Sequence, residues 1–183
     1  MGCKMIDDLE TVILVDDEDR QVGALGKIEA HRLGLRHRAI SVCVTNERGE
    51  MLLQRRALSK YHSGGLWTNT CCTHPRVGED VADAAARRLN EELGVACDLR
   101  FLRVTHYRAD VGGGFVEDEV VHIFHARFDG EPRPDPAEVM DYAWLSRAEL
   151  ETDVAMRPQA YTYWFRHYLE HHPDEIFQGV ACP

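Results

Sequence analysis

Two short stretches hold residue types that suit proton and metal chemistry: Thr68-Asn69-Thr70-Cys71-Cys72-Thr73-His74-Pro75 and Phe115-Val116-Glu117-Asp118-Glu119. Run as strands, their side chains alternate between two faces. Cys72 and His74 then share one face of the first stretch, and Glu117 and Glu119 share one face of the second. A thiol, an imidazole and two carboxylates turned into one cavity are too costly for a plain core. The arrangement points to a site that handles protons and a metal ion. Cys71 takes the opposite face, as an ordinary buried cysteine.

The elements that must position these groups are legible around them. Residues 12–15 read as a strand entering an acidic turn at 16–19, with residues 21–23 returning. Residues 39–45 and 50–54 are apolar-rich runs around Asn46-Glu47-Arg48-Gly49, a hairpin signal. Residues 66–73 form an extended run after the Ser63-Gly64-Gly65 breaker. Residues 80–93 open with acid, carry Ala and Leu at helical spacing and stop at Gly94, which predicts a helix. Strands follow at 99–108, 116–128 and 141–145, with a loop of three prolines at 131–136. An amphipathic helix is predicted over 154–172, with Pro158 near its start and Pro173 ending it. Mixed strands with two main helices give an α+β class, an α/β sandwich around a sheet.

A chain of 183 residues predicts one domain, residues 1–183, with a full core. Its 21 Lys and Arg stand against 31 Asp and Glu, a net charge of −10 that disfavours nucleic acid and anionic membranes as partners. A few clustered cations can still hold a phosphorylated substrate. No apolar run reaches the roughly 18 residues a bilayer span needs. The first residues, Met1 to Asp8, lack a signal-peptide pattern, and Ile6 argues against myristoylation at Gly2. Six cysteines, at 3, 43, 71, 72, 97 and 182, include an adjacent pair that suits a disulfide framework poorly. A reducing, cytoplasmic location is expected. The oligomeric state is not set, and a monomer is consistent with the sequence.

Glu79, Arg87, Leu89, Glu91, Glu92, Gly94 and Val95 match most of the Nudix signature, a loop–helix–loop that holds divalent cations on acidic side chains. Thr73 stands where its leading Gly belongs, and Arg88 where a Glu follows the Arg. Further motifs accompany it: Lys27 to His31, His37-Arg38-Ala39, Arg55-Arg56-Ala57-Leu58-Ser59-Lys60, Leu66-Trp67 leading into the Cys72 stretch, Tyr107-Arg108-Ala109, Glu117-Asp118-Glu119 and Trp164. Together they make the chain closely similar to type 1 isopentenyl-diphosphate isomerases, which have the Nudix fold without its hydrolytic activity. The resemblance runs from about residue 12 to residue 168.

That resemblance implies a reaction and a set of roles. Isopentenyl diphosphate becomes dimethylallyl diphosphate when the terminal alkene carbon gains a proton and the allylic carbon loses a different one. Cys72 and Glu119 are the implied acid and base; which acts first stays open. Tyr107 is placed to bond the Glu119 carboxylate, and Trp164 to turn its π face to a developing carbocation. His31, His37, His74, Glu117 and Glu119 are the implied ligands of a divalent metal, Mn²⁺, Zn²⁺ or Mg²⁺ by donor type. Lys27, Arg56, Lys60 and Arg88 are the implied diphosphate cations, with a Mg²⁺ on Glu92 and the Cys72 carbonyl. The remaining histidines, His62, His106, His122, His125, His167, His171 and His172, receive no role.

Two competing readings are a Nudix pyrophosphatase acting on a nucleoside diphosphate derivative and a non-catalytic ligand-binding module. The first leaves Cys72, His74 and the Glu117/Glu119 pair without a job, and Arg88 counts against it. The second predicts losses at the mapped positions, which are all filled.

Overall fold

The computed structural model describes residues 10–178. The stretch Met1 to Asp8, Cys3 and Cys182 therefore lie outside the described residues. Within them, nine strands make one mixed sheet: β1 Thr11–Val15, β2 Gln21–Gly26, β3 Arg36–Thr45, β4 Met51–Arg56, β5 Trp67–Thr68, β6 Cys71–Thr73, β7 Arg100–Gly112, β8 Phe115–Arg127 and β9 Val139–Leu145. The helices are α1 Lys27–Leu33, α2 Val81–Leu93, α3 Arg147–Met156, α4 Tyr163–His171 and α5 Pro173–Gln178. The α+β class expected from the sequence is the class observed.

Alternation along the strands sorts side chains onto two faces. Ile40, Val42 and Val44 of β3 pack with Phe124 of β8, Cys71, and the α2 residues Ala84, Ala85, Leu89 and Leu93. Ala39 and Cys43, one step out of phase, pack with Val121, Ile123 and the α4–α5 residues Trp164, Phe165, Tyr168 and Ile176. Each fully buried Leu, Ile or Phe contributes about 1.5–3 kcal/mol, so each helix is held chiefly by its face. Helix α2 starts where the Asp80 carboxylate accepts from the Ala82 and Asp83 amides, and ends at Gly94. That glycine has φ +61°, and a Cβ there would press on Arg133 at 3.0 Å.

Register fixes what meets what on the α4 side. Strand β3 runs parallel to β8 with His37 opposite Glu119. Strand β7 runs antiparallel to β8 with Tyr107 opposite Glu119 and Ala109 opposite Glu117. Facing residues in neighbouring strands share a face, so Glu119 is flanked by an imidazole and a phenol.

The hairpin of β3 and β4 pairs only at Thr45 and Met51. Beyond that, β4 turns to β5 and β9 while β3 pairs with β6 and β8. The residues between β5 and β6 bridge the gap: the Val44 amide donates to Thr70 Oγ1 at 2.8 Å, and Thr70 Oγ1 donates to the Leu52 carbonyl at 2.6 Å. The strand expected over 66–73 is thus two short strands, interrupted where side chains replace ladder bonds.

Two further differences have local causes. The helix expected over 154–172 is broken. Pro158 lacks an N–H and forces Arg157 out of the helical region, to φ −135° and ψ 54°. The chain then makes one 3-10 turn at Pro158–Ala160 and is extended at Tyr161 and Thr162, with the Thr162 amide on the Trp67 carbonyl at 2.9 Å, before α4 begins. Pro173 opens α5 as well as following α4, a position proline tolerates. Helix α1, which no periodicity announced, is only 7 residues long and ends at Gly34 with φ 59°.

Candidate active site

The gap between β3 and β4 opens into a cavity under Trp164, lined by every residue to which the sequence assigns a role except His31 and His37, which stand behind Glu119. Cys72 faces it from β6. Its thiol donates to Asn69 Oδ1 at 3.1 Å and lies 3.4 Å from Ser41 Oγ, which is 3.0 Å from Tyr168 Oη. Burial pushes the Cys72 thiol up to about 12, so the neutral form dominates. Cys71 is fully buried on the α2 side, as expected.

Across the cavity, Tyr107 Oη lies 2.8 Å from Glu117 Oε2 and 2.7 Å from Glu119 Oε2. A phenol has one proton, so the two carboxylates share it. Burial and the neighbouring Glu119 charge push the Glu117 carboxyl well above the usual range. Burial acts on Glu119 in the same sense, but the His37 and His74 imidazoles beside it outweigh this and hold it well below. The two carboxyls of one strand face are therefore driven apart in acidity.

The imidazoles cluster on the free oxygen of Glu119. His74 Nε2 lies 3.1 Å from Glu119 Oε1, His37 Nε2 3.4 Å and His31 Nε2 4.0 Å. His74 follows β6 rather than continuing it, yet its ring still turns to the same side as Cys72. His31 Nδ1 donates to the Lys27 carbonyl at 2.7 Å and His37 Nδ1 to the Leu35 carbonyl at 2.8 Å. Those bonds occupy each Nδ1–H, the usual second contact of a metal-binding histidine, and leave Nε2 as the atom a metal would take; Tyr61 Oη lies 3.1 Å from His31 Nε2. His37 Nε2 is buried and makes no hydrogen bond among the described residues. One donor atom from each of His31, His37, His74 and Glu119 falls within a 4.8 Å span. This donor set fits a divalent cation.

Glu117, expected in the same set, groups instead with His31 and His62 within the same 4.8 Å span. His62, to which the sequence assigns no role, is buried beside this pair, with Nε2 3.3 Å from Glu117 Oε1 and its ring edge-on to Trp164 at 5.9 Å. Burial, then the Arg56 charge, lowers its pKa to about 2, so it stays neutral. The other six histidines stay out of the cavity lining; His106 pairs with Asp118 and His122 with Asp19, each at 2.8 Å.

Cations line the cavity end towards α2. Arg88 donates to Glu92 Oε1 at 2.7 Å and to Glu138 Oε1 at 3.2 Å, and Lys60 donates to Glu138 Oε2 at 2.6 Å. Burial works against the Arg88 charge, but Glu92 and Glu138 more than offset it and hold its pKa above the ordinary value. Gln54 Nε2 holds the second Glu92 oxygen at 3.0 Å. Lys27 pairs with Glu10 at 2.8 Å. Arg56 sits 5.3 Å over the Trp164 ring, linking the cationic end to the aromatic wall. Glu138 was not anticipated; the acidic residue just ahead of β9 carries no sequence signal that separates it from surface charge.

Comparison with known proteins adds an independent line. The NUDIX domain family model matches residues 35–167. Isopentenyl-diphosphate Delta-isomerase 2 of Aromatoleum aromaticum is 48% identical over 161 residues, covering 88% of this chain and 85% of the relative. The isopentenyl-diphosphate Delta-isomerase of Rhodobacter capsulatus is 52% identical over 159 residues, covering 85% and 90%. Among solved structures, DR0079 of Deinococcus radiodurans superposes with a TM-score of 0.68 at 21% identity, over 80% of this chain and 90% of that one, a likeness of fold.

Proposed function

This chain belongs to the Nudix family and, within it, to the isopentenyl-diphosphate Delta-isomerases, and we propose that it interconverts isopentenyl diphosphate and dimethylallyl diphosphate. The observation that carries the reading is one cavity with the Cys72 thiol on one wall, the Tyr107-bridged Glu117/Glu119 pair on another, and cations at its end. Allylic isomerisation needs those three things together.

In this reading Lys27, Arg56, Lys60 and Arg88 take the diphosphate. Arg56 and Arg88 offer flat guanidinium forks, and the lysines act as point charges. The five-carbon tail then lies under Trp164, with Cys72 and Glu119 as the two proton-transfer groups. Positioned acid and base groups each contribute about 10²–10⁴-fold. An aromatic face against a desolvated cation adds about 2 kcal/mol, the part assigned to Trp164. Tyr107 orients Glu119 through the bond to its Oε2.

His31, His37, His74 and Glu119 would hold a divalent metal, Mn²⁺, Zn²⁺ or Mg²⁺, and Glu117, which shares His31 with a second group, would have to turn towards it to serve as the fifth ligand. Glu92 and the Cys72 carbonyl would hold a Mg²⁺ shared with the diphosphate. Such ions supply positive charge that sets the acidity of Glu119 and neutralises phosphate oxygens. Arg88 supports isomerisation over hydrolysis: it stands on the helix face where a hydrolase needs a carboxylate, and its own partners are Glu91, Glu92 and Glu138. The free thiols Cys43, Cys71, Cys72 and Cys97 agree with a cytoplasmic setting, and no described helix is long and apolar enough to cross a membrane.

The test is incubation with isopentenyl diphosphate in D₂O. Deuterated dimethylallyl diphosphate without phosphate release is the expected result. Phosphate release, or recovery of unlabelled substrate, would overturn the reading.

A further inference from the structure

Thr68 and Asn69 are fully buried, polar, and unused by the chemistry so far. Their hydrogen bonds have only one consistent direction. Asn69 Nδ2 donates to the Val42 carbonyl at 3.0 Å and to the Cys71 carbonyl at 3.2 Å. Both amide hydrogens are thereby committed, which fixes the flip and leaves Oδ1 as a pure acceptor. Onto that oxygen come the Cys72 thiol and Thr68 Oγ1, each at 3.1 Å. Thr68 Oγ1 has one proton and gives it to Asn69. It therefore accepts from the Trp164 indole Nε1–H at 2.8 Å and from the Thr162 hydroxyl at 3.1 Å.

The result is a dry chain: Trp164 to Thr68 to Asn69, and Cys72 to the same Asn69 oxygen. It joins the sulfur on β6 to the indole on α4, 92 positions along the chain from it. Thr68 ends β5, paired with Gln54 of β4, and Asn69 follows it in the segment inserted where β3 and β4 part, so strand pairing anchors one side of the hub. On the other side the Thr162 amide bonds the Trp67 carbonyl, which ties the start of α4 to β5. Neither residue lines the cavity, so neither can touch a substrate there.

We infer that Thr68 and Asn69 are positioning residues for the isomerisation, setting the Cys72 thiol and the Trp164 indole in one rigid frame on either side of the alkene. This inference rests on the function proposed above. A sulfur that must meet one carbon and an aromatic face that must cover the next are useful only at a fixed separation. Misplacement of a reacting group by about 1 Å can cost about 10²-fold in rate.

The test compares Thr68→Val, Thr68→Ser and wild type. Steady-state isomerisation of isopentenyl diphosphate is measured beside the Trp164 indole Nε1–H resonance in ¹H–¹⁵N spectra. The valine variant keeps the volume and loses the hydroxyl. Its expected behaviour is a shifted indole resonance and a kcat lower by about 10- to 100-fold, with KM within about twofold. The serine variant restores the hydroxyl and both readouts. Should Thr68→Val not fold, Thr68→Cys makes the same comparison, since its sulfur is a weak acceptor of serine size; it must fall with valine. A Thr68→Val or Thr68→Cys enzyme with wild-type kcat, or a serine variant as impaired as valine, overturns the positioning role alone. A wild-type enzyme that does not isomerise the substrate overturns the proposed function instead.

Discussion

Replacing Tyr107 by Phe removes one oxygen from the most crowded polar contact of the site. The ring loses nothing else: its contacts with Tyr163 and His167, at 5.8 Å, and with Tyr168, at 6.4 Å, are made by carbon faces and edges. The lost oxygen touches Glu117 at 2.8 Å and Glu119 at 2.7 Å, but its single proton serves one carboxylate at a time. The loss is therefore one hydrogen bond to a charged group, about 1.5–3 kcal/mol, not two. If that bond orients Glu119 for proton transfer, kcat falls about 10- to 150-fold, since each 1.36 kcal/mol is tenfold. The diphosphate cations are untouched, so KM stays within about twofold, as expected for loss of a purely transition-state interaction. Initial rates across substrate concentrations, read by deuterium incorporation, separate the two parameters. A Tyr107→Phe enzyme with unchanged kcat, or one whose whole loss lies in KM, would refute this account of the carboxyl pair.

Chelator treatment should abolish turnover and lower the melting temperature; restoring a divalent metal at 100 times its Kd should return about 2.7 kcal/mol of stability, read by thermal melts. Cys72→Ala should reduce isomerisation to background, whereas Cys71→Ala should retain turnover and lose about 1 kcal/mol of stability in denaturant titration, because its sulfur only fills the α2 side of the core. His125 gives a pH signature. Burial first, then Arg127 and Arg100, lowers its pKa from 6.5 to about 4, so the folded protein keeps it neutral where the unfolded chain is already protonated. Stability is then full above pH 6.5 and lost as pH falls towards about 4, by roughly 3 kcal/mol. Urea titrations across that range should show a flatter slope for His125→Gln.

The residues of the site were largely readable because strand alternation sets them: Cys71 and Cys72 on opposite faces, Glu117 and Glu119 on one. The α2 helix was readable from its Asp80 cap and Gly94 stop. What escaped was set by tertiary contact. His62 lies in a loop with no period, and its neighbour Glu117 stands 55 positions away in the sequence. Glu138 looks like any surface acid until Lys60 and Arg88, both distant in sequence, arrive on it. The break before α4 needs the Thr162 amide to find Trp67, a pairing across 95 positions that no local propensity encodes.

The parallel pairing of β3 with β8 also dictates an order of events during folding. The Arg36–Asp118 bond within that ladder joins residues 82 apart. Closing such a loop costs roughly 4 kcal/mol of chain entropy beyond a constant, before any contact rewards it. The β7–β8 hairpin, by contrast, is local and assembles Tyr107, Glu117 and Glu119 early. His31 and His37 can join them only once the long loop has closed. During refolding, capture of a divalent ion by the imidazole cluster should coincide with this late step, making metal uptake a clock for completion of the native topology.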